Sequence, residues 1–194
     1  MTNDPTETAE TAATRFSPWR LLPLVVIAGG LVAFFAFGMD TYMSFEALRD
    51  RREELLAWKA QHHGLAVFYF VGIYVLATAF SVPGAVWLTI AGGFLFGTIE
   101  TTIVVVVSAT LGAVAVFLAA RYALGEYLHA KAGPAMRRME AGFRENAMSY
   151  LLVLRLVPLF PFWLVNLVPA FLGVPIRTFV IGTFFGIMPG SFVF

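Results

Sequence analysis

The sequence predicts an all-α integral membrane protein: an inverted repeat of two re-entrant helical hairpins, combined with transmembrane helices. Three observations predict it. Of 194 residues, 59% are hydrophobic and only 13% charged, with a mean hydropathy of +0.80, where a soluble domain carries about 25% charged residues. Four apolar stretches approach the ~20 residues that span a bilayer: Leu21–Met39, Gly64–Phe80, Thr102–Ala120 and Thr178 onward to Phe194. A pair of proline-broken apolar segments, one in each half, supplies the repeat. The first reads Ser81-Val82-Pro83-Gly84-Ala85-Val86-Trp87-Leu88, then Ala91-Gly92-Gly93-Phe94-Leu95-Phe96-Gly97. The second reads Arg155-Leu156-Val157-Pro158-Leu159-Phe160-Pro161-Phe162-Trp163-Leu164, then Phe171-Leu172-Gly173.

Both segments run Val-Pro, Trp-Leu, then Phe-Leu(-Phe)-Gly. Proline removes a backbone donor and clashes with the preceding turn. In hydrocarbon such a break survives only where the freed backbone is buried in protein or faces a wet cavity. Matching interrupted segments in corresponding halves point to a transport site at a repeat interface. Pro83, Gly84, Gly93, Gly97, Pro158, Pro161 and Gly173 are therefore the residues expected to shape the hairpins.

In chain order, residues 1–20 form a tail, rich over 1–14 in Thr, Ala and acidic residues with no apolar pattern, and are expected to be disordered. The stretch 21–39 reads as a retained anchor rather than a cleaved leader, because it is long and far from Met1. Residues 40–63 form a charged connection, with an amphipathic helix over 44–62 that Ser44 can cap. Phe45, Leu48, Leu55 and Leu56 make its apolar stripe, and four basic residues balance four acidic ones around it. Residues 64–194 form the membrane domain. Within it, 126–149 is a second polar connection, helical after Pro134, and Arg121 is the stop of the third span. The last stretch is still apolar at Phe194, so the chain is expected to be cut inside or at the end of a span.

If each broken segment dips in and returns, it does not change sides. Both charged connections then share one face, with Arg49, Arg51, Arg52, Lys59, Arg121, Lys131, Arg137, Arg138, Arg144 and Arg177, while the tail has Arg15 and Arg20. The excess of basic residues makes that face cytoplasmic. The two hairpins then enter from opposite faces.

Composition excludes several classes of function. The net charge of +1 comes with no basic stripe, so no nucleic-acid partner is expected. With no cysteine in the chain, disulfide and thiol chemistry are absent. No nucleophile–base pair or nucleotide loop is present, so the protein reads as a non-enzyme without a cofactor. His62-His63 lacks nearby partners for a metal and reads as an interfacial pair.

Arg155 lies inside an apolar run, where an arginine costs about 2.5–3.5 kcal/mol on insertion scales and should face the bundle interior or water. It reads either as a contact for an anionic head group or as a boundary arginine pairing with a broken-helix carbonyl. Arg121 reads as a boundary anchor or a partner of Arg155 in one cavity. Asn166 needs a hydrogen-bond partner in its apolar surroundings, and either satisfies the broken backbone or contacts substrate. Glu100 reads as a charge near a helix N-terminus. Gly93-x-x-x-Gly97 and Gly182-x-x-x-Gly186-x-x-x-Gly190 allow close helix approach within the chain.

The run from Arg155 through Phe162, followed by Asn166 and Gly173, resembles the second signature of the DedA/VTT-domain superfamily. Pro83-Gly84, Ala91-Gly92-Gly93, Phe96-Gly97, Gly112 and Ala120-Arg121 resemble the first half of that domain, and Gly182-Thr183 to Pro189-Gly190 its next segment. Over roughly residues 65–194, the chain is most similar to the SNARE-associated Golgi protein branch, the Tlg-vesicle-protein-like membrane proteins. The resemblance implies two facing re-entrant loops and movement of lipids across the bilayer, as a scramblase of phospholipid or a flippase of lipid-phosphate carriers. It also departs from the family. Ala85 stands where many members carry an acid after Pro-Gly, and Phe162 follows Pro161 where many carry a second arginine. Arg155, Arg121 and Asn166 remain as substrate-binding candidates. The expected partners are membrane lipids and, in a homo-oligomer, further copies of the chain; the expected site is the bacterial inner membrane. An ion- or proton-coupled solute transporter and a non-catalytic membrane organiser are the competing readings.

Overall fold

The computed structural model describes residues 21–38, 51–82, 85–130, 134–157 and 160–193, with side chains described except at 52, 124–130, 134–141, 144 and 145. Ser44, Pro83, Gly84 and Pro158 lie outside these residues. The described residues form eight helices and no strand: α1 (Leu22–Ala36), α2 (Arg52–Gln61), α3 (His63–Ala79), α4 (Ala85–Phe96), α5 (Thr98–Ala130), α6 (Pro134–Leu156), α7 (Phe162–Phe171) and α8 (Ile176–Val193).

The second predicted span keeps its length, 17 residues as His63–Ala79, while the other three differ. By length and composition, Thr98–Ala123 and Ile176–Val193 are apolar and long enough to cross a membrane. A third crossing arises only if α2 and α3, bent by 115° at His62, count as one. Helix α1 has 15 residues, about 22 Å against a hydrocarbon core of ~30 Å. It stops early because Gly38 takes φ +61° and its N–H bonds back to Phe35 O at 3.0 Å. The apolar span of α5, Thr98–Ala123, closes two residues beyond Arg121, while the helix itself runs on through Gly125 to Ala130. Helix α6 starts at Pro134 as predicted and kinks at Asn146 (φ −129°, ψ 32°).

Each half has the same element order. A longer helix (α3, α6) ends at a break, a short apolar helix (α4, α7) follows, and a glycine at positive φ leads into a long helix (α5, α8). Those glycines are Gly97 (φ +83°) and Gly173 (φ +69°). Both short helices thus terminate at the Phe-Leu(-Phe)-Gly motif. The turn after α3 is a left-handed cap built on Ser81 (φ +53°): Val82 N–H bonds to Ala77 O at 2.8 Å and Ser81 N–H to Thr78 O at 3.0 Å. Gly173 forms its counterpart, with Val174 N–H on Pro169 O at 3.1 Å. A proline follows each cap by two residues, Pro83 and Pro175, where it cannot continue the helix.

Helix α5 is the central element, with both short helices against it. One core cluster joins Phe70, Tyr74, Val105 and Ala109, with Leu88 and Phe96 of α4 against it. The other joins Phe117, Ala120, Leu151, Ala170, Val174 and Phe179 around α7. Small residues set the helix spacing, since lipid offers no hydrophobic drive between helices. At Gly112 a Cβ would lie 2.6 Å from Thr78 Cβ and 2.8 Å from Val75 O; at Gly92 it would lie 2.6 Å from the Phe70 ring. Gly30 of α1 sits against the Phe80 ring in the same way.

Candidate functional site

The second half gathers a polar cluster inside the apolar bundle. Arg155 occupies the last turn of α6, where the helix dipole favours a cation. Its stem lies across Gly186 of α8, where a Cβ would come within 2.7 Å of Arg155 Cβ. The guanidinium Nη2 donates to Asn166 Oδ1 of α7 at 2.7 Å and to Thr183 Oγ1 of α8 at 2.8 Å. These are short, charge-assisted bonds. Asn166 and Thr183 are both 0% exposed. The Phe162 and Phe179 rings lie beneath the charge, 5.6 and 5.4 Å from Cζ to ring centre, close enough for cation–π attraction. Among the described residues Arg155 therefore pairs with side chains of α7 and α8.

Arg121 takes the carbonyl role instead. Its Nη1 donates to Val174 O at 2.9 Å, at the turn after α7, and its side chain is exposed. The two arginines do not meet. Arg121 lies over Phe117 at 5.8 Å, Arg155 over Phe179, and those two rings stack at 4.3 Å and 24°. Two buried aromatic rings thus separate the charges, which corrects the reading that placed them together in one cavity.

Pro161 is the N-cap of α7, and Pro169 lies within that helix. Gly97 and Gly190 depart from the close-approach reading, since a Cβ on either would meet nothing within 4 Å. Gly97 is needed for its φ. Gly182 and Gly186 do mediate approach, to Leu151 and Arg155 of α6 respectively.

The first half holds its polar groups differently. Thr89 Oγ1 donates to Ala85 O at 3.1 Å, leaving its lone pairs to accept from Tyr74 OH at 3.0 Å. Both residues are buried, and the bond ties α4 to α3. Glu100 lies in the first turn of α5, with Oε1 2.9 Å from His63 Nε2. His63 also meets the edge of Phe96, and Lys59 lies over that ring at 5.7 Å. His62 stacks on Trp58. Among the described residues no group of three or more His, Asp or Glu side chains could hold a metal ion. An apolar hollow of about 190 Å³ between α5 and α8, lined by Ile103, Val106, Phe184 and Met188 among others, does not include Arg155.

Thr183, Phe179 and Phe117 are the members that sequence reasoning missed. Thr183 carried a signal: with Phe179 and Gly186 it falls at i−4 and i+3 spacing, on the glycine face of an apolar helix.

The fold and this cluster define an all-helical integral membrane protein with an arginine-centred polar site between its second short helix and the two helices beside it. Residues 82–194 match the family model described as the VTT domain, and the chain belongs to that family, within the DedA superfamily. It is 34% identical over 154 residues to the Transmembrane protein 41 homolog of Dictyostelium discoideum, covering 77% of this chain and 46% of that protein. It is 34% identical over 131 residues to Transmembrane protein 41B of Homo sapiens, covering 66% and 44%, and of Gallus gallus, covering 66% and 48%. The chain thus spans about half the length of the curated relatives it matches. No solved structure matches it.

Proposed function

We propose that the protein moves lipids with a phosphate head group, phospholipid or polyprenyl-phosphate, across the bilayer as a scramblase or flippase. One observation carries the reading: a guanidinium held inside an apolar bundle by neutral partners, Asn166 and Thr183, with no carboxylate in contact among the described residues. Such a charge is costly in hydrocarbon unless a ligand or water completes its shell. A planar guanidinium suits a phosphate oxyanion.

In this reading α3–α4 and α6–α7 are the two re-entrant hairpins of an inverted repeat. The repeated order of helix, break, short helix and positive-φ glycine supports it. The charged connections face the cytoplasm by their basic residues. The setting is a bacterial inner membrane, the branch that of the SNARE-associated Golgi proteins, and membrane lipids are the partners, with self-association left to the whole protein. A proton-coupled solute transporter has less support, because Ala85 stands in the acid's place and Glu100 pairs with His63 away from Arg155.

The test is reconstitution of the chain in liposomes with fluorescent phospholipid or a polyprenyl-phosphate, read by dithionite quenching. Lipid flip-flop should exceed that of empty vesicles, and Arg155→Ala should slow it about tenfold or more, as expected for loss of hydrogen bonds to a charged group. Traces unchanged from empty vesicles for both lipids would sink the lipid reading.

A further inference from the structure

The inner face of the Arg155 cluster is made of unused donors. Arginine can only donate, so the 2.7 Å contact with Arg155 Nη2 fixes the Asn166 amide with Oδ1 toward the guanidinium. The Nδ2 end is thereby turned away, and it has no partner among the described residues although Asn166 is 0% exposed. Arg155 Nε is buried and unpartnered as well. These two nitrogens sit on the two partners of one hydrogen bond, one on each side chain. The amide cannot turn to relieve its orphan end, because that would set two donors against each other. Thr183 differs, since its contribution to the cluster is the acceptor that takes the second Nη2 bond.

A buried amide nitrogen without a partner is destabilising, and evolution could remove it by a smaller or apolar side chain. We infer that Asn166 is itself a ligand-binding residue: its Nδ2 and Arg155 Nε form a donor pair for the oxygens of one phosphate oxyanion. This rests on the reading that the cluster is a head-group site, and adds to it which groups touch the ligand. Thr183 is then a positioning residue, acting through Arg155.

Aspartate at 166 separates the two roles. Asn166→Asp keeps the shape and still accepts from Arg155, now as an ion pair, so a purely structural role is preserved. It replaces the spare donor by an acceptor, which repels an oxyanion. The whole chain in detergent is titrated with a short-chain phosphatidylglycerol and, separately, with inorganic phosphate, followed by tryptophan fluorescence, with thermal unfolding in parallel. The wild type should respond to a phosphate-bearing probe. Asn166→Asp should unfold at or above the wild-type temperature and lose the response about tenfold or more, while Thr183→Val should weaken it by only about threefold. A response to phosphatidylglycerol alone assigns the oxyanion to a lipid, and a response to inorganic phosphate assigns it to a soluble anion; either, lost in Asn166→Asp, supports the donor pair. Wild-type affinity in Asn166→Asp, equal losses in Asn166→Asp and Thr183→Val, or no wild-type response to either probe would overturn it. In liposomes, failure of wild-type lipid movement beside an intact anion response removes the translocase reading and leaves the donor pair standing.

Discussion

Alanine placed in turn at the three glycines of α8 should give a graded result. At Gly186 the new Cβ would sit 2.7 Å from Arg155 Cβ and 3.1 Å from Cγ. Ordinary contact begins near 3.4 Å, and a Cβ cannot swing away by changing rotamer, so α6 and α8 must part by several tenths of an ångström. Overpacking of this kind costs about 1–3 kcal/mol, offset by the roughly 0.5–1 kcal/mol that alanine gains over glycine in a helix. The net loss at Gly186 is then about 1–2 kcal/mol, or roughly 5–30-fold in the folded-to-unfolded ratio. At Gly182 the nearest atoms, on Leu151 and Met148, stand at 3.1–3.3 Å, and the overpacking and helix terms about cancel. At Gly190 nothing lies within 4 Å, so alanine should stabilise by about 0.5–1 kcal/mol. Reversible unfolding in mixed micelles, followed by circular dichroism, reads all three. A loss at Gly190→Ala equal to that at Gly186→Ala would refute the reasoning, because the stripe would then face something other than α6.

Two further outcomes follow from bonds at the short helices. Tyr74→Phe should cost about 0.5–1.5 kcal/mol, since Thr89 keeps its bond to Ala85 O, whereas Thr89→Val strands a buried phenol and should cost about 1–3 kcal/mol; a double-mutant cycle that shows no coupling would remove this bond from the account. Gly173→Ala forces a side chain into the left-handed region at φ +69° and should cost about 1–2 kcal/mol, and Gly173→Asn less; equal unfolding midpoints for the two variants would count against that cause.

Where hydrophobic length and turn chemistry act locally, the sequence was readable. The apolar runs became helices, the start of α6 fell at Pro134, and the second break left Arg155 on a helix end. The second span was readable, since α3 (His63–Ala79) falls within one residue of Gly64–Phe80 at each end; α1 was less so, because Gly38 makes a left-handed cap that apolar counting ignores. Arg121 reads as the stop of a span, and the apolar stretch does close near it, at Ala123, although the helix runs on to Ala130. The site was half legible. Arg155 and Asn166 stood out as polar groups in apolar runs, and they proved to bond each other. Their third partner, Thr183, lies 28 residues from Arg155 and reaches it only through the packing of α6 on α8. Such a contact depends on two helix faces meeting, which glycine spacing implies but does not specify. The Phe117–Phe179 stack, joining α5 to α8, is of the same kind.

That no carboxylate among the described residues lies beside Arg155 has a consequence for what the bundle keeps out. Its charge is held by an amide, a hydroxyl and two rings, so the positive field is not cancelled at its source. A sodium ion or hydronium brought within about 5 Å would meet a repulsion of about 3 kcal/mol at an effective dielectric constant near 20. Fixed arginines act as such electrostatic barriers in selective pores. In the proposed lipid-moving role, a passage lined by this residue would admit anionic head groups while holding the membrane tight against cation leak, so that such movement need not dissipate an ion gradient.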